Sequence, residues 1–184
     1  MKIFTIRHGQ TDWNLASRIQ GRTDMPLNET GRKQAEELRG KVADLEFDIC
    51  YASPLSRAAE TARIVVDGKC KIVYDKRLVE RDFGSFEGRV VTDYRWTGLV
   101  KGDPYDRRAN ITEGGIESIR DLLARSRGFL DWLIATHDND ARILIVAHGA
   151  FLKALHYSIV GYDDDTDFYD FYLKNGEIME YDIK

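Results

Sequence analysis

The sequence predicts a three-layer α/β/α sandwich with a mostly parallel central sheet and an antiparallel edge. Short apolar runs alternate along the chain with longer stretches whose apolar residues have helical spacing. Two of the apolar runs end in the dipeptide His-Gly, at His8 and His148, which is typical of a buried strand that turns into a loop or a helix. Because no repeat or linker divides the 184 residues, we expect one domain over residues 1–184.

The strands follow from hydrophobicity and turn signals. Four short apolar runs, at residues 3–6, 48–52, 71–74 and 142–147, predict strands. Residues 167–173 and 177–183 alternate between apolar and polar side chains and flank Asn175-Gly176, a strong short-range signal for a β-hairpin. We therefore expect a sheet that is parallel at its centre and ends in a C-terminal hairpin.

Helical spacing predicts helices at about residues 29–45, 54–66, 116–136 and 150–159. Asn28 can cap the first of them, while Ser53-Pro54 provides a cap and a first helical residue for the second. Residues 11–27 show no clear period, so we expect a long functional loop there. Residues 81–114 are rich in glycine, charge and aromatic rings and are expected to form a lid-like insertion rather than a second core.

Composition limits the partners and the compartment. The formal net charge of −4 disfavours nucleic acid and anionic membranes as partners. No apolar run approaches the roughly 20 residues of a membrane span, and the first strand follows Met1-Lys2 too closely to leave room for a signal peptide. Cys50 and Cys70 are expected to be reduced thiols. These observations favour the cytoplasm, and the sequence does not indicate an oligomeric state.

The predicted strand ends bring together the residues with functional chemistry. His8, Ser53 and His148 each follow a strand, so they meet at one edge of the sheet if those strands are parallel. Arg57 lies in the first turn of the helix after Ser53, and side chains on a helix lean towards its N-terminus. Arg7 adds a second guanidinium beside His8.

Two guanidinium groups and two imidazoles at one point suit a phosphate group, whose oxygens arginine binds bidentately. The same cations would repel a divalent metal ion. This argues against a metal site at His8, His148 and Glu80, although imidazole is a common ligand.

The ordered motifs of the chain resemble those of the histidine phosphatase superfamily, also called phosphoglycerate mutase-like. The match covers residues 3 to about 155 and consists of Arg7-His8-Gly9-Gln10-Thr11-x-Trp13-Asn14, Gln20-Gly21, Asp24-x-Pro26-Leu27, Gly31-x-x-Gln34-Ala35, Ser53-Pro54-Leu55-x-Arg57-Ala58-x-x-Thr61-Ala62, Leu78-x-Glu80, Phe83-Gly84-x-x-Glu87-Gly88, Gly115-x-Glu117-Ser118 and Val146-Ala147-His148-Gly149. One Arg-His-Gly triplet would be weak evidence, whereas this ordered set is highly specific.

The resemblance implies roles for the matched residues. His8 is expected to be the nucleophile that forms a phosphohistidine, and Arg7, Arg57 and His148 to hold the phosphoryl oxygens. Glu80 is expected to protonate the leaving oxygen and then activate water. The further phosphate-binding residues implied are Asn14, Gln20 and Gly21. No metal, nucleotide or other cofactor is required.

Glu80 also has a simpler interpretation, which is a surface ion pair with Arg77 or Arg81. Its catalytic role requires a protonated carboxyl at the first step, and therefore partial burial or negative neighbours.

The resemblance leaves the fate of the phosphoryl group open. The short chain and the run Asp82-Phe83-Gly84-Ser85-Phe86-Glu87-Gly88 favour a phosphatase that acts on a small phosphorylated metabolite. Arg107-Arg108 favours the alternative, a phosphoglycerate mutase that needs 2,3-bisphosphoglycerate. An inactive phospho-ligand-binding protein is the third candidate. Three arginines are expected as lid contacts, namely Arg81, Arg107 and Arg108.

Overall fold

A computed structural model describes residues 1–90, 111–168 and 170–183. Within these residues, five strands form one sheet in the order β3-β2-β4-β1-β5. The strands are β1 (Lys2–Arg7), β2 (Ile49–Ala52), β3 (Lys71–Tyr74), β4 (Arg142–Ala147) and β5 (Ile178–Asp182). β1 and β2 each pair with β4 in parallel, β2 also pairs in parallel with β3, and β5 pairs with β1 in antiparallel orientation. The predicted mixed sheet is confirmed.

Helices cover both faces of the sheet. Five α-helices lie in the described residues, namely α1 (Asp12–Leu15), α2 (Glu29–Lys41), α3 (Ser56–Val66), α4 (Ile119–Thr136) and α5 (Gly149–Val160). Short 3₁₀-helices lie between β3 and α4, at Lys76–Leu78, Gly84–Phe86 and Glu113–Gly115. Buried residues of α2 and α3 pack in one apolar cluster, and those of α4 and α5 pack in another.

The central strands are apolar throughout because both of their faces are buried. Along β4, Ile143 and Ile145 belong to the cluster with α4 and α5, whereas Leu144 and Val146 belong to the cluster with α2 and α3. Successive side chains of a strand point to opposite faces, so a strand between two helical layers needs apolar residues at every position. This arrangement is the predicted three-layer sandwich.

Two helix boundaries differ from the expectation in an informative way. Asn28 caps α2 as predicted, since its side chain accepts a hydrogen bond from the Gly31 N–H at 2.9 Å. α3 begins at Ser56 with Leu55 as its cap residue, so Ser53 is not the helix cap. Ser53 instead continues the sheet, because its N–H donates to the Val146 carbonyl at 3.0 Å. The expected loop at residues 11–27 also contains the single turn of α1.

The predicted C-terminal hairpin is wrong. The turn at Asn175-Gly176 forms, with Gly176 at φ 70°, but residues 167–168 and 170–173 are not a strand. The side chain of Arg7 holds this segment by donating to the Leu173 carbonyl at 2.9 Å, and β5 pairs with β1. The segment therefore contacts the carboxyl end of β1 rather than β5.

The described part of the predicted insertion covers residues 81–90 and 111–114. Gly84, at φ 52°, lies against the backbone of Gly114, where a Cβ atom would collide with that backbone. Residues 91–110, with the expected lid contacts Arg107 and Arg108, lie outside the described residues. Among the described residues, no helix has the length and apolar character needed to cross a membrane.

Candidate active site

The carboxyl ends of three neighbouring parallel strands form the site. His8 follows β1, Ser53 follows β2 and His148 follows β4. The register pairs Arg7 with Ala147 and Ala52 with Val146. The ring centroids of His8 and His148 are consequently 5.1 Å apart. The structure therefore brings together the two His-Gly pairs that lie far apart in the sequence.

His8 is oriented by the backbone of its own loop. Its Nδ1 lies 2.7 Å from the Gly9 carbonyl oxygen, which can only accept a hydrogen bond, so Nδ1 carries the proton. Burial, Arg57 and Arg7 hold the pKa of His8 well below its usual value. A neutral ring protonated at Nδ1 leaves a lone pair on Nε2, which is the atom that can attack phosphorus.

Arg57 is fully buried and reaches back from the first turn of α3. Its Nη1 donates to the Thr23 carbonyl at 2.9 Å, and its Nη2 donates to the Gly21 carbonyl at 2.6 Å. Its Nε is buried without a hydrogen-bond partner among the described residues. Desolvation lowers the pKa of Arg57, while the nearby Glu80 carboxylate opposes that shift.

Arg7 provides the second buried cation. Its Nη1 is held by the Leu173 carbonyl, and its guanidinium carbon lies 5.0 Å from the ring centroid of Tyr172. Gly149 makes room for it, because a Cβ at that position would lie 3.2 Å from the guanidinium carbon. The Nε of Arg7 is also buried without a partner in the described part of the chain.

His148 is the N-cap residue of α5 and is fully buried. Its Nε2 lies 2.7 Å from the Ser53 hydroxyl, and its Nδ1 has no partner among the described residues. Burial, followed by the charges of Arg57 and the proximity of His8, holds the pKa of His148 well below its usual value. The imidazole is therefore neutral in the folded protein.

These side chains leave three buried nitrogens unsatisfied by the described residues, namely Nε of Arg7, Nε of Arg57 and Nδ1 of His148. Buried polar groups normally have a hydrogen-bond partner, so these three nitrogens are available to bind a ligand. Two guanidinium groups favour an anion with several oxygens, such as a phosphoryl group. No cluster of three or more His, Cys, Asp or Glu side chains suited to a metal ion occurs in the described residues.

Glu80 is buried, with 9% of its surface exposed, at the N-terminus of α5. Its Oε2 accepts from the Ala150 N–H at 3.1 Å, and its Oε1 accepts from the Phe151 N–H at 3.0 Å. Arg77, which could have paired with it at the surface, pairs with Asp75 at 2.6 Å instead. Glu80 thus has a fixed orientation within reach of the charge of Arg57.

Arg125 of α4 anchors the segment that carries Glu80. Its Nη1 donates to the carbonyls of Arg77 and Val79 at 2.7 and 2.8 Å, and its Nε donates to the carboxylate of Glu117 at 2.9 Å. The Arg125 and Glu117 side chains are only 17% and 12% exposed. A partly buried ion pair therefore links α4 to the backbone beside Glu80.

The other predicted phosphate-binding residues surround His8 and Arg57. Asn14 accepts a hydrogen bond from the Thr11 N–H at 3.1 Å, and Gln20 accepts one from the Thr11 hydroxyl at 2.9 Å. Gly21, at φ 54°, supplies a carbonyl to Arg57. Arg81, the described one of the three expected lid contacts, is fully buried, and its Nε donates to the Glu117 carbonyl at 2.7 Å.

Three residues of the site, Ser53, Asn175 and Thr61, make contacts that were not expected from the sequence. Ser53 was expected at the same sheet edge as His8 and His148, but as a helix cap and not as a hydrogen-bond partner of His148. Asn175 was expected only as a turn residue, yet it donates to the His8 carbonyl at 2.9 Å. Thr61 accepts from the Gly9 N–H at 3.1 Å and donates to the Arg57 carbonyl at 2.7 Å. Its position one helical turn after Arg57 was the available signal for Thr61.

Comparison with known proteins identifies the family of the chain. The model of the histidine phosphatase superfamily (branch 1) matches residues 3–184. The chain belongs to this superfamily, which confirms the resemblance carried by the motifs.

The proteins that the chain resembles include both phosphatases and a probable phosphoglycerate mutase. The chain is 38% identical over 161 residues to the uncharacterized phosphatase PhoE of Bacillus subtilis, covering 87% of this chain and 78% of that protein. It is 36% identical over 168 residues to the probable phosphoglycerate mutase GpmB of Erwinia tasmaniensis, covering 88% and 75%. The mycobacterial glucosyl-3-phosphoglycerate phosphatase complexed with VO3 superposes with a TM-score of 0.80 at 27% identity, over 97% of this chain and 91% of that one.

Proposed function

We propose that this protein is a phosphatase that hydrolyses a small phosphomonoester through a phosphohistidine at His8. The observation that carries the proposal is the neutral His8 ring, whose Nδ1 is engaged by the Gly9 carbonyl so that Nε2 keeps its lone pair. This ring lies beside two buried arginines whose Nε atoms lack partners among the described residues. Membership of the histidine phosphatase superfamily and the similarity to PhoE support it.

In the first step, Nε2 of His8 attacks phosphorus and the bond between phosphorus and the ester oxygen breaks. The electron pair of that bond goes to the leaving oxygen, which takes a proton from Glu80. Arg7, Arg57 and His148 stabilise the charge that is spread over the other phosphoryl oxygens. A covalent intermediate divides one difficult displacement into two easier ones.

In the second step, water replaces the departed alcohol. The Glu80 carboxylate accepts a proton from water while the water oxygen bonds to phosphorus. The bond between phosphorus and Nε2 breaks, its electron pair returns to His8, and inorganic phosphate leaves. The ring is again neutral and the Glu80 carboxyl is again protonated, so the cycle closes without a cofactor.

A mutase is the second candidate, because the chain is 36% identical to a probable phosphoglycerate mutase. The two reactions differ only in whether water or a hydroxyl of the substrate takes the phosphoryl group from His8. The site residues described above serve both reactions equally. The names PhoE and glucosyl-3-phosphoglycerate phosphatase among the relatives favour water as the acceptor.

Two assays separate the candidates. The first measures phosphate release from p-nitrophenyl phosphate in the presence of a chelator, and absence of release would leave an inactive binding protein. The second follows 3-phosphoglycerate with catalytic 2,3-bisphosphoglycerate, and we expect phosphate release to exceed isomerisation. Isomerisation that far outpaces phosphate release would establish the mutase instead.

The substrate class follows from the site and from the net charge. The buried cations suit one phosphoryl group, while the net charge of −4 disfavours nucleic acid and anionic membrane surfaces. Phosphorylated sugars and phosphoglycerate derivatives are the first compounds to test, in a panel ranked by kcat/KM. Cys50 and Cys70 are free thiols in the structure, which fits our proposal of a reducing compartment, the cytoplasm.

A further inference from the structure

The hydroxyl of Ser53 lies between two partners at the end of β2. Its oxygen accepts a hydrogen bond from the Leu55 N–H at 3.3 Å and lies 2.7 Å from Nε2 of His148. Both Ser53 and His148 are fully buried. In the described part of the molecule the hydroxyl hydrogen has Nε2 as its acceptor, because the Leu55 amide is a donor.

The hydrogen-bond pattern therefore distinguishes the two neutral forms of His148. If Nε2 carried the proton, it would donate to Ser53, and the Ser53 hydroxyl hydrogen would have no acceptor among the described residues. If Nε2 is unprotonated, it accepts from Ser53 and every group around the hydroxyl is satisfied. Without a ligand, each tautomer leaves one buried donor unpaired in the described residues, the Ser53 hydroxyl in the first and Nδ1–H in the second. The first tautomer also leaves the Nδ1 lone pair unpaired, and a buried unsatisfied polar group costs roughly 1–3 kcal/mol, which favours the second arrangement.

We propose that Ser53 is a positioning residue that fixes the tautomer of His148, so that Nδ1 carries the proton. The Nδ1–H then donates a hydrogen bond to a phosphoryl oxygen. The partner of a histidine's other ring nitrogen determines which nitrogen is protonated. Nδ1 of His148 is the buried nitrogen without a partner in the described residues, next to the His8 ring. The ligand role of Nδ1 rests on the proposed phosphatase function, whereas the tautomer does not.

The tautomer decides whether His148 attracts or repels the substrate. With a proton on Nδ1, the ring presents a hydrogen-bond donor to an oxygen that gains negative charge. With the proton on Nε2, the ring would present a lone pair to the same oxygen. Because the ring is neutral when buried beside Arg57 and His8, it has only one proton to place, and Ser53 controls where it lies.

The direct test is the tautomer itself, measured without substrate. The protein is labelled with ¹⁵N-histidine, and long-range ¹H–¹⁵N correlation spectra are recorded at pH 7.5. The chain has four histidines, and the signals of His148 are assigned by their loss in His148→Asn. We expect Nδ1 to have the shift of a protonated ring nitrogen and Nε2 that of an unprotonated one. The reverse pattern would overturn the proposal.

Ser53→Ala tests whether the hydroxyl is responsible. We expect the Nε2-protonated form of His148 to appear and kcat/KM to fall by at least about tenfold, since losing one preorganised donor to a transition-state oxygen costs 10²–10³ in rate. Ser53→Thr keeps a hydroxyl, and we expect it to retain the Nδ1-protonated form. An unchanged tautomer in Ser53→Ala would contradict the role of Ser53.

The matched control is Ser126→Ala, which removes another buried serine hydroxyl. Ser126 bonds to the Leu123 carbonyl and to Ser158 between α4 and α5, away from the strand ends. We expect this variant to lose some stability and to keep both the His148 tautomer and kcat/KM.

If the wild-type protein shows the expected tautomer but no phosphatase activity, the proposed function fails while the assignment of the tautomer stands. If Ser53→Ala changes the tautomer but not kcat/KM, the donor role of Nδ1 is wrong.

Discussion

At the scale of single residues, the fold fixes the orientation of the Glu80 carboxyl group by burial and by hydrogen bonds. The side chain is 9% exposed and accepts hydrogen bonds from three backbone N–H groups, those of Arg81, Ala150 and Phe151. These bonds fix the direction of both oxygens at the N-terminus of α5. A proton donor for the leaving oxygen has to be positioned before its acidity can matter.

Glu80→Gln is expected to affect substrates according to their leaving groups. An alkyl phosphate needs a proton on its leaving oxygen, so we expect kcat/KM to fall by about 10²-fold or more. p-Nitrophenyl phosphate releases a stable anion, so we expect a much smaller loss. Glu36→Gln, at an exposed position of α2, is the control and should change neither rate. Equal slowing of both substrates would contradict the role of Glu80 as the acid.

The residues that the sequence identified are those that directly follow strands or occupy an ordered motif. His8, Arg7, Arg57 and His148 meet at the sheet edge as expected. The sequence placed Ser53 and His148 at one edge of the sheet, but the hydrogen bond between them was not predicted, because it depends on β2 lying directly next to β4. A Ser-Pro pair is also a common helix start, which gave Ser53 a simpler interpretation than the true one.

At the scale of elements, the loop after β1 is held against α2 by close backbone contact. A Cβ on Gly9 would collide with the backbone of Gly31, and a Cβ on Gly31 would collide with the backbone of Gln10. The Gln10 carbonyl also accepts from the Asn28 N–H at 3.0 Å. The position of His8 therefore depends on two glycines that carry no chemistry themselves.

Two glycines of the same helix should respond oppositely to alanine. Gly31→Ala places a methyl group in the backbone of Gln10, so we expect a loss of roughly 2 kcal/mol or more in the free energy of unfolding and lower activity. Gly40→Ala meets no atom within 4 Å, so we expect a gain of up to about 1 kcal/mol. Urea denaturation measures both variants. A Gly31→Ala protein as stable as Gly40→Ala would refute this close contact.

The failed hairpin prediction shows the limit of periodicity. Phe168 and Leu173 are buried, and the ring centroid of Phe171 lies 3.8 Å from that of His156. Phe168 and Leu173 are five positions apart, so they would lie on opposite faces of a strand. Alternation reports that one side of a segment is buried, and it does not identify the element that buries it. Here the preceding helix α5 and the distant Arg7 contact the segment, rather than a second strand of a hairpin.

At the scale of the whole molecule, two helical layers bury a positively charged site. The chain as a whole is acidic, with a net charge of −4, yet Arg7 and Arg57 are buried beside two neutral histidines. The sheet and its two layers were predictable, because apolar runs and helical spacing report burial. The arrangement over residues 91–110 lies outside the described residues, so the lid contacts Arg107 and Arg108 remain predictions.

Burial of the neutral histidines makes folding depend on pH. The folded pKa values of His8 and His148 are lowered, whereas the unfolded values are about 6.5. Below about pH 6.5 the unfolded chain binds more protons than the folded chain. The contribution of the two histidines to the free energy of unfolding is therefore fully present above that pH and is lost as the pH decreases. We expect a loss of about 2 kcal/mol in the free energy of unfolding between pH 7 and pH 5.5.

Urea denaturation of the wild type and of His8→Gln/His148→Gln measures this dependence. The double variant lacks both buried imidazoles, so its stability should fall less steeply over the same pH range. His137 is half-buried outside the site, and His137→Gln is the matched variant that removes a histidine elsewhere in the fold. Identical slopes in the wild type and the double variant would refute the neutral state of the two site histidines.

The central claim is a covalent phosphoryl group on Nε2 of His8, and chemical trapping tests it directly. The protein is mixed briefly with p-nitrophenyl phosphate, quenched in alkali and mapped by peptide mass spectrometry, with His8→Asn as the parallel sample. We predict a phosphorylated peptide that contains His8 in the wild type, and neither this peptide nor turnover in His8→Asn. A phosphoryl group on another residue, or normal turnover in His8→Asn, would contradict the claim.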